Sequence, residues 1–577
     1  MFESILQPTF RRILSYITPY RYRLIPVLVF SLVGTLLSLC LPYLSKYLVD
    51  DALLGQNLHT LFYIVFLFVF ITVLSFVMNI WTGLRYTRVS AEILFDMRLD
   101  LYKHLQCLSP RFYARTPLGE IVSRINNDIG EVQRIAAETV LASLGNVLFL
   151  LGTVFMLLWL DAKLFLLSIS LLPISLWALI HYRKRLADRV IVLRESSADI
   201  GSFLIETLQG MKLIVTSNAQ TREIDRFRNK NDNFIQALMS MQFHTYLAGG
   251  LPGIILSSSA AIVFLYGGYR VIMGTLTIGT FVAFTAYQMR LFSPIQALMG
   301  LYANLASAQV SLQRIHQILD TAPEVLEKKN AVSCVEVRGE VSFEDVTLSF
   351  DRGEEVLKRV SFKVQAGETV AVVGSSGSGK STIADLMLRL FDPDSGVVCL
   401  DGQNLRSLCL NDLRSKVVLV DQEPFMFNSS IAENIRYAQP KALDDDVERA
   451  AHQAGIAEFI LRLPQQYETP VGERGMTLSA GERQRIAIAR AFLADPSILV
   501  LDEATSALDL ISEGRIISGY EAIMKGRTTI LISHRLELVG KADKVVILER
   551  GSVVDQGTPQ ELLEKQGIFT QLFGESR

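Results

Sequence analysis

The sequence predicts two fold classes in one chain: an all-α membrane domain with six spans, then an α/β domain built on a P-loop. Three observations carry this. Long uncharged runs fill residues 1–320; a β-branched strand, a glycine-rich turn and a helix begin at Glu368; and further short apolar strands ending in polar residues follow. At 577 residues the chain is too long for a single core. The boundaries read from it are a membrane domain over residues 1–320, a linker over 321–337 and a soluble domain over 338–577.

Taking the elements in order, the arginines Arg11, Arg12, Arg21 and Arg23 precede an apolar run too long for a cleaved leader, so it reads as an uncleaved anchor. A bilayer core about 30 Å thick needs about 20 apolar residues of helix. Runs of that kind occupy residues 24–45, 61–84, 139–160, 245–269 and from about 278 onward. A shorter one, 164–180, is separated from its predecessor only by Asp161 and Lys163, which predicts a hairpin with a tight turn.

Charge then orients the spans, because Lys and Arg stay on the cytoplasmic side. The connection after the second span carries Arg85, Arg88, Arg98, Lys103, Arg111, Arg115, Arg124 and Arg134, and the connection after the fourth is equally basic. The other connections hold essentially Lys46, Lys163 and Arg270. Both termini are therefore expected on the cytoplasmic side of the inner membrane. The two basic connections have helical periodicity and are too long for turns, so helices are expected to continue well beyond the bilayer.

The formal net charge of −2 argues against a nucleic-acid binder, which needs a strongly basic face. Five cysteines, Cys40, Cys107, Cys334, Cys399 and Cys409, lack CxxC spacing and read as apolar filler rather than a disulfide frame or zinc site.

The stretch from Gly374 through Ser375, Ser376, Gly377, Ser378, Gly379, Lys380 and Ser381 to Thr382 fits G-x-x-x-x-G-K-[ST]. A strand before it and an apolar helix after it aim consecutive backbone N–H groups and the helix's positive end at one point. Polyphosphate accounts for that much donor capacity. Lys380 is expected on the β and γ phosphates and the Ser381 hydroxyl on Mg²⁺. A second apolar strand, 497–501, ends in Asp502-Glu503, two carboxylates at the sheet edge where α/β ligands bind. Asp502 suits the Mg²⁺ shell, and Glu503 is placed to polarise an attacking water. A third strand, 528–532, ends in Ser533-His534, a further polar group for the γ phosphate.

With Gln422 after the strand 416–421, the run Leu478-Ser-Ala-Gly-Glu482, Asp502-Glu503, Ser506-Ala-Leu-Asp509 and His534 in this order, residues 338–577 resemble the nucleotide-binding domain of ATP-binding cassette transporters. The six-span half resembles the exporter-type half-transporters, the class that includes lipid A flippases and multidrug exporters. Residues 112–128 and 206–219 are similar to that class's two coupling helices, and residues 471–474 to its exporter-specific loop.

The resemblance implies roles position by position. Phe350 stands where an aromatic, usually tyrosine, stacks on adenine. Gln422 senses Mg²⁺ and the membrane half, Ser479 and Gly481 contact the γ phosphate across a dimer, and Asp509 links the two sites. It also implies that one cassette cannot hydrolyse ATP alone, so a second subunit is required, and the intact Lys380, Glu503 and His534 make a homodimer the simpler choice over an unlike partner. Two positions depart from the usual LSGGQ signature: Ala480 replaces glycine and Glu482 replaces glutamine. A Cβ at 480 is harmless if that residue is helical, and a helix N-terminus tolerates the charge of Glu482.

One charge lies deep in a span. Arg290 falls about 18 Å below the outer end of the sixth run, at 1.5 Å per residue. With Gln288 and Tyr287 it is a candidate for the anionic head of an amphipathic substrate, against the alternatives of a water-filled cavity or a carbonyl freed near Pro294. The lipid A flippase pattern has further basic residues where this chain has Ser293 and Gln296, which weakens that assignment. The expected function is ATP-driven export or flipping of a lipid, lipid-linked molecule, drug or peptide among the membrane lipids. A multidrug exporter without lipid preference, an importer on the same fold, and one half of a heterodimer share the motifs. An ATP-gated channel would not need the hydrolytic residues.

Overall fold

Two stretches of the computed structural model gather into each of two units: Met1–Leu105 with Leu118–Asp320, and Gln106–Pro117 with Thr321–Arg577. The structure describes residues 16–135, 140–334, 336–350, 353, 355–502, 510–565 and 567–573.

The described residues of the first unit form helices joined by short turns. Its spans are Arg21–Tyr47, Leu58–Cys107, Val140–Leu160, Ala162–Ile169 continued by Leu172–Gln209, Gln220–Ile272, and Ile278–Arg290 continued by Phe292–Leu319. At 50 and 53 residues the second and fifth helices run about 75–80 Å. That is more than twice a bilayer core of about 30 Å.

Among the described residues five helices are long and apolar enough to cross a membrane. The sixth is divided, and proline explains why. Pro294 has no N–H to give to the carbonyl of Arg290, four residues earlier, and the first piece ends there after 13 residues. The same spacing divides the fourth span, where Pro173 follows Ile169 by four. Between the third and fourth spans the chain reverses on Asp161 alone, whose side chain accepts from the Leu164 N–H at 2.9 Å and pairs with Arg270.

The spans pack through a small core of Leu39, Leu157, Leu164, Phe165, Val263, Phe284, Tyr287 and Leu291. Their outward faces are apolar and bare, with Phe66 69% and Leu265 80% exposed, as a lipid-facing surface requires.

The second unit holds two sheets. One is antiparallel, in the order β2 (Glu355–Val364), β1 (Val341–Ser349), β4 (Ser395–Leu400), β5 (Gln403–Asn404). The other runs β10 (Ser552–Gly557), β9 (Lys544–Glu549), β3 (Thr369–Gly374), β8 (Thr528–Ile532), β7 (Ile498–Asp502), β6 (Val417–Val420). All its pairings are parallel except β9 with β10.

Both faces of the parallel sheet are buried, so its strands read as continuous apolar runs. Ala371, Val373, Leu499, Leu501 and Leu531 enter one core. Val370, Val372, Ile498, Val500, Ile530 and Ile532 enter the other, shared with the antiparallel sheet. The consequence is a rigid edge, because five parallel strands end side by side.

Candidate functional site

Register places the sequence motifs together. Val420 pairs with Leu501, Asp502 with Ile532, and Val372 with Ile532. The residues that follow β3, β6 and β8, namely the glycine-rich turn, Asp421-Gln422 and Ser533-His534, therefore meet Asp502 along one edge. This is the carboxyl edge, where open α/β sheets bind ligands.

The turn after β3 is built for close backbone approach. The Ser378 N–H donates to the Ser375 carbonyl at 3.2 Å. Gly379 has φ of 100°, and a Cβ there would lie 2.7 Å from Leu357 Cδ2 and 3.0 Å from the Val356 carbonyl, so only glycine fits. The helix Lys380–Met387 starts directly after it.

Lys380 is buried, and its Nζ donates to the carbonyls of Gly374 and Ser375, both at 3.0 Å. The ammonium thus lies across the mouth of the turn. The Ser378 hydroxyl is buried without a hydrogen-bond partner among the described residues, a donor aimed into the loop's own interior. Both features fit a polyphosphate.

Carboxylates gather beside it. Asp502 is buried at the end of β7. Asp385 lies one helical turn beyond Ser381, and burial, then the charges of Asp502 and Asp421, push its carboxyl up to about 6. A site where acids press on one another, with the exposed Ser381 hydroxyl at hand, has the oxygen donors that Mg²⁺ takes. Gln422 and His534 are exposed at the same edge, and the Gln422 N–H donates to Asp421 Oδ1 at 2.7 Å. Glu503 and Asp509 lie outside the described residues.

Ser479 caps the helix Ala480–Ala494. Its Oγ accepts from the Glu482 N–H at 3.3 Å, and Glu482 Oε2 accepts from the Ser479 N–H at 2.8 Å, a closed capping box. The Ser479 hydroxyl keeps its own proton to donate outward. Ala480 is the first helical residue and has no positive φ, so its Cβ meets the condition set by the sequence. Gly481 is buried in the first turn. The segment after β6 and the helix Leu510–Met524 are then tied to this helix by Gln484, whose Nε2 donates to the Asp421 carbonyl at 3.2 Å and to the Tyr520 hydroxyl at 2.7 Å.

Phe350 follows β1, half-buried, with its ring edge-on to Phe391 at 6.2 Å. In the membrane unit, Arg290 and Gln288 part company. Arg290 is exposed and donates to the Ser38 carbonyl at 3.2 Å. Gln288 turns inward, 3% exposed, with Nε2 3.4 Å from Ser259 Oγ, and Tyr287 is buried with its hydroxyl on the Leu39 carbonyl.

Sequence reasoning missed Asp385 and Gln484. The first had a signal, because i and i+4 share a helix face and Ser381 was already assigned. For Gln484 there was none, since its partners lie far along the chain.

Apolar spans joined to a P-loop sheet of this order define a membrane-embedded ATPase. The chain belongs to the ATP-binding cassette transporters. Residues 24–295 match the family model of the ABC transporter transmembrane region, and residues 357–506 that of the ABC transporter.

Relatives agree over the full length. YknV of Bacillus subtilis, an ABC transporter ATP-binding protein by name, is 34% identical over 97% of this chain and 93% of its own. YgaD of the same organism, a candidate multidrug export ATP-binding/permease protein by name, is 34% identical over 98% of both chains. Among solved structures, a bacterial Atm1-family ABC exporter with ATP bound superposes with a TM-score of 0.82 at 29% identity, covering 96% of this chain and 99% of that one. The chain is an exporter-type half-transporter, a multi-pass membrane protein that couples ATP hydrolysis, with Mg²⁺, to transport and works with a second half.

Proposed function

We propose that two copies of this chain form an exporter that carries an amphipathic substrate across the inner membrane by alternating access, with both termini in the cytoplasm. The observation that supports the ATP-driven part is the sheet register that gathers the glycine-rich turn, Gln422, Asp502 and His534 on one edge.

In this reading the backbone N–H groups of residues 374–379 and Thr382 cradle the phosphates, and Lys380 turns from the loop carbonyls to the β and γ phosphates. Ser381, Gln422 and Asp502 hold Mg²⁺, which neutralises charge on the phosphate oxygens when bound. Glu503 orients and polarises the attacking water, and His534 holds the γ phosphate as charge develops. Phe350 stacks on the adenine. Ser479 and Gly481 of the second copy close the site from across the dimer, and Asp509 links the two sites. Binding clamps the cassettes together, and hydrolysis resets them.

The substrate follows from Arg290. A guanidinium in a span is costly unless it meets water, a carbonyl or a ligand, and here one donor is held by Ser38 while the side chain stays exposed. An anionic head on a hydrophobic body fits that surface. The names of relatives such as YgaD favour a broader, multidrug range. ATPase activity in lipid nanodiscs separates the two. Stimulation by an anionic amphiphile that is lost in Arg290→Ala supports the first; stimulation by cationic drugs, unchanged in Arg290→Ala, supports the second and overturns a role for Arg290.

A further inference from the structure

Arg111 lies on the short helix Pro110–Arg115, in the connection between the second and third spans, and its contacts are with the C-terminal unit to which residues 106–117 belong. Its guanidinium carbon stands 4.6 Å from the ring centre of Phe350 and 4.8 Å from that of Phe391. Those two rings are nearly perpendicular, at 85°. The cation therefore touches both aromatics at once. One nitrogen, Nη1, faces Glu324 at 3.7 Å. Nε and Nη2 are buried and find no acceptor among the described residues.

This arrangement needs a reason. An arginine carries five N–H donors in a rigid plane, and leaving two buried without acceptors is costly. Phe350 has its own difficulty. Lacking a hydroxyl, its ring cannot be oriented by a hydrogen bond, so packing and the cation beside it decide where it points.

We propose that Arg111 is a positioning residue for the nucleotide base: packed against Phe350 and Phe391, its guanidinium holds the Phe350 ring in place for stacking. The proposal rests on the reading that Phe350 stacks on the base. It gives the connection between the second and third spans a direct stake in base occupancy, in addition to any rigid-body push.

Stacking is greater for larger π surfaces, which makes the test specific. In the full-length chain in nanodiscs, Arg111→Ala is expected to raise KM for ATP and GTP about tenfold while kcat changes less than about twofold, and to raise KM for CTP and UTP far less. Arg111→Lys, which keeps the charge and the Glu324 pair but not the planar fork, is expected to recover part of the purine KM. In a Phe350→Ala background, Arg111→Ala is expected to add little, because the two act as one unit.

A fall in kcat that is equal for all four nucleotides, with KM unchanged, would overturn the proposal and leave Arg111 as a fastener of its own segment. If Phe350→Ala itself leaves the ATP KM unmoved, the stacking reading fails and this one with it. A raised KM in Phe350→Ala beside a normal one in Arg111→Ala sinks only the role of Arg111. Should Arg111→Ala not fold, the purine-to-pyrimidine KM ratio of Arg111→Lys decides by the same criterion.

Discussion

Glu482 puts a negative charge at the mouth of the helix Ala480–Ala494, close to where phosphate is expected. The structure gives that charge work to do, since its carboxylate accepts the Ser479 N–H while the Ser479 hydroxyl accepts from Glu482. Glutamine, the usual residue, closes the same box. Glu482→Gln is therefore expected to leave unfolding stability within about 0.5 kcal/mol, and Glu482→Ala to cost about 1 kcal/mol, read from denaturant or thermal melts. The S-x-x-E spacing was visible in the sequence, and only the link to a box was not drawn. Glu503 belongs at this scale too. If Glu503, which follows the buried Asp502 in sequence, polarises the attacking water as proposed, Glu503→Gln should retain ATP binding in a filter assay while turnover falls at least about a hundredfold. Hydrolysis at the wild-type rate in that variant would remove Glu503 from the mechanism.

At the scale of elements, the first and sixth spans are held together at one end by one acid and one missing side chain. Asp50, on the π-helical extension Leu48–Leu54, accepts from the Gly279 N–H at 2.7 Å and from the Thr277 hydroxyl at 2.6 Å, capping the helix Ile278–Arg290. Gly279 lets the first span come close. A Cβ there would lie 2.3 Å from the Lys46 carbonyl and 2.5 Å from Asp50 Cγ. Backbone cannot yield as a flexible side chain can, so Gly279→Ala is expected to destabilise by about 1–3 kcal/mol and Asp50→Ala by about 1–2 kcal/mol in detergent melts. Melting temperatures equal to wild type in both would mean the first and sixth spans do not rely on this contact. The spans themselves were legible because a bilayer demands a length of apolar helix. The division at Arg290 was half legible: Pro294 was seen, but that the helix gives way four residues earlier follows from a carbonyl losing its donor. The direction of Gln288 was not legible, because which face of a helix is buried depends on neighbours such as Ser259 that only the fold supplies. The grouping of residues 106–117 with the C-terminal unit was likewise hidden, since no local pattern records a contact over more than two hundred positions.

The whole molecule is a half, and its chemistry tests that. If each ATP site joins the glycine-rich turn of one copy to Ser479 of the other, two different lesions must complement. Lys380→Ala disables the turn and leaves Ser479 intact; Ser479→Arg disables the signature and leaves Lys380 intact. A dimer of either variant alone has two broken sites. A mixed dimer has one site broken on both sides and one whole. Co-reconstituting equal amounts is then expected to restore ATPase activity from near zero to roughly a quarter of wild type, because random pairing makes about half the dimers mixed and each holds one competent site of two. Recovery below that level, yet above either variant alone, would mean that the two sites depend on one another, as a link through Asp509 would give. Full activity in the Ser479→Arg dimer would remove Ser479 from the ATP site. An inactive wild-type chain would instead require an unlike second subunit, and the same two lesions, placed one on each chain of that pair, would locate the competent site.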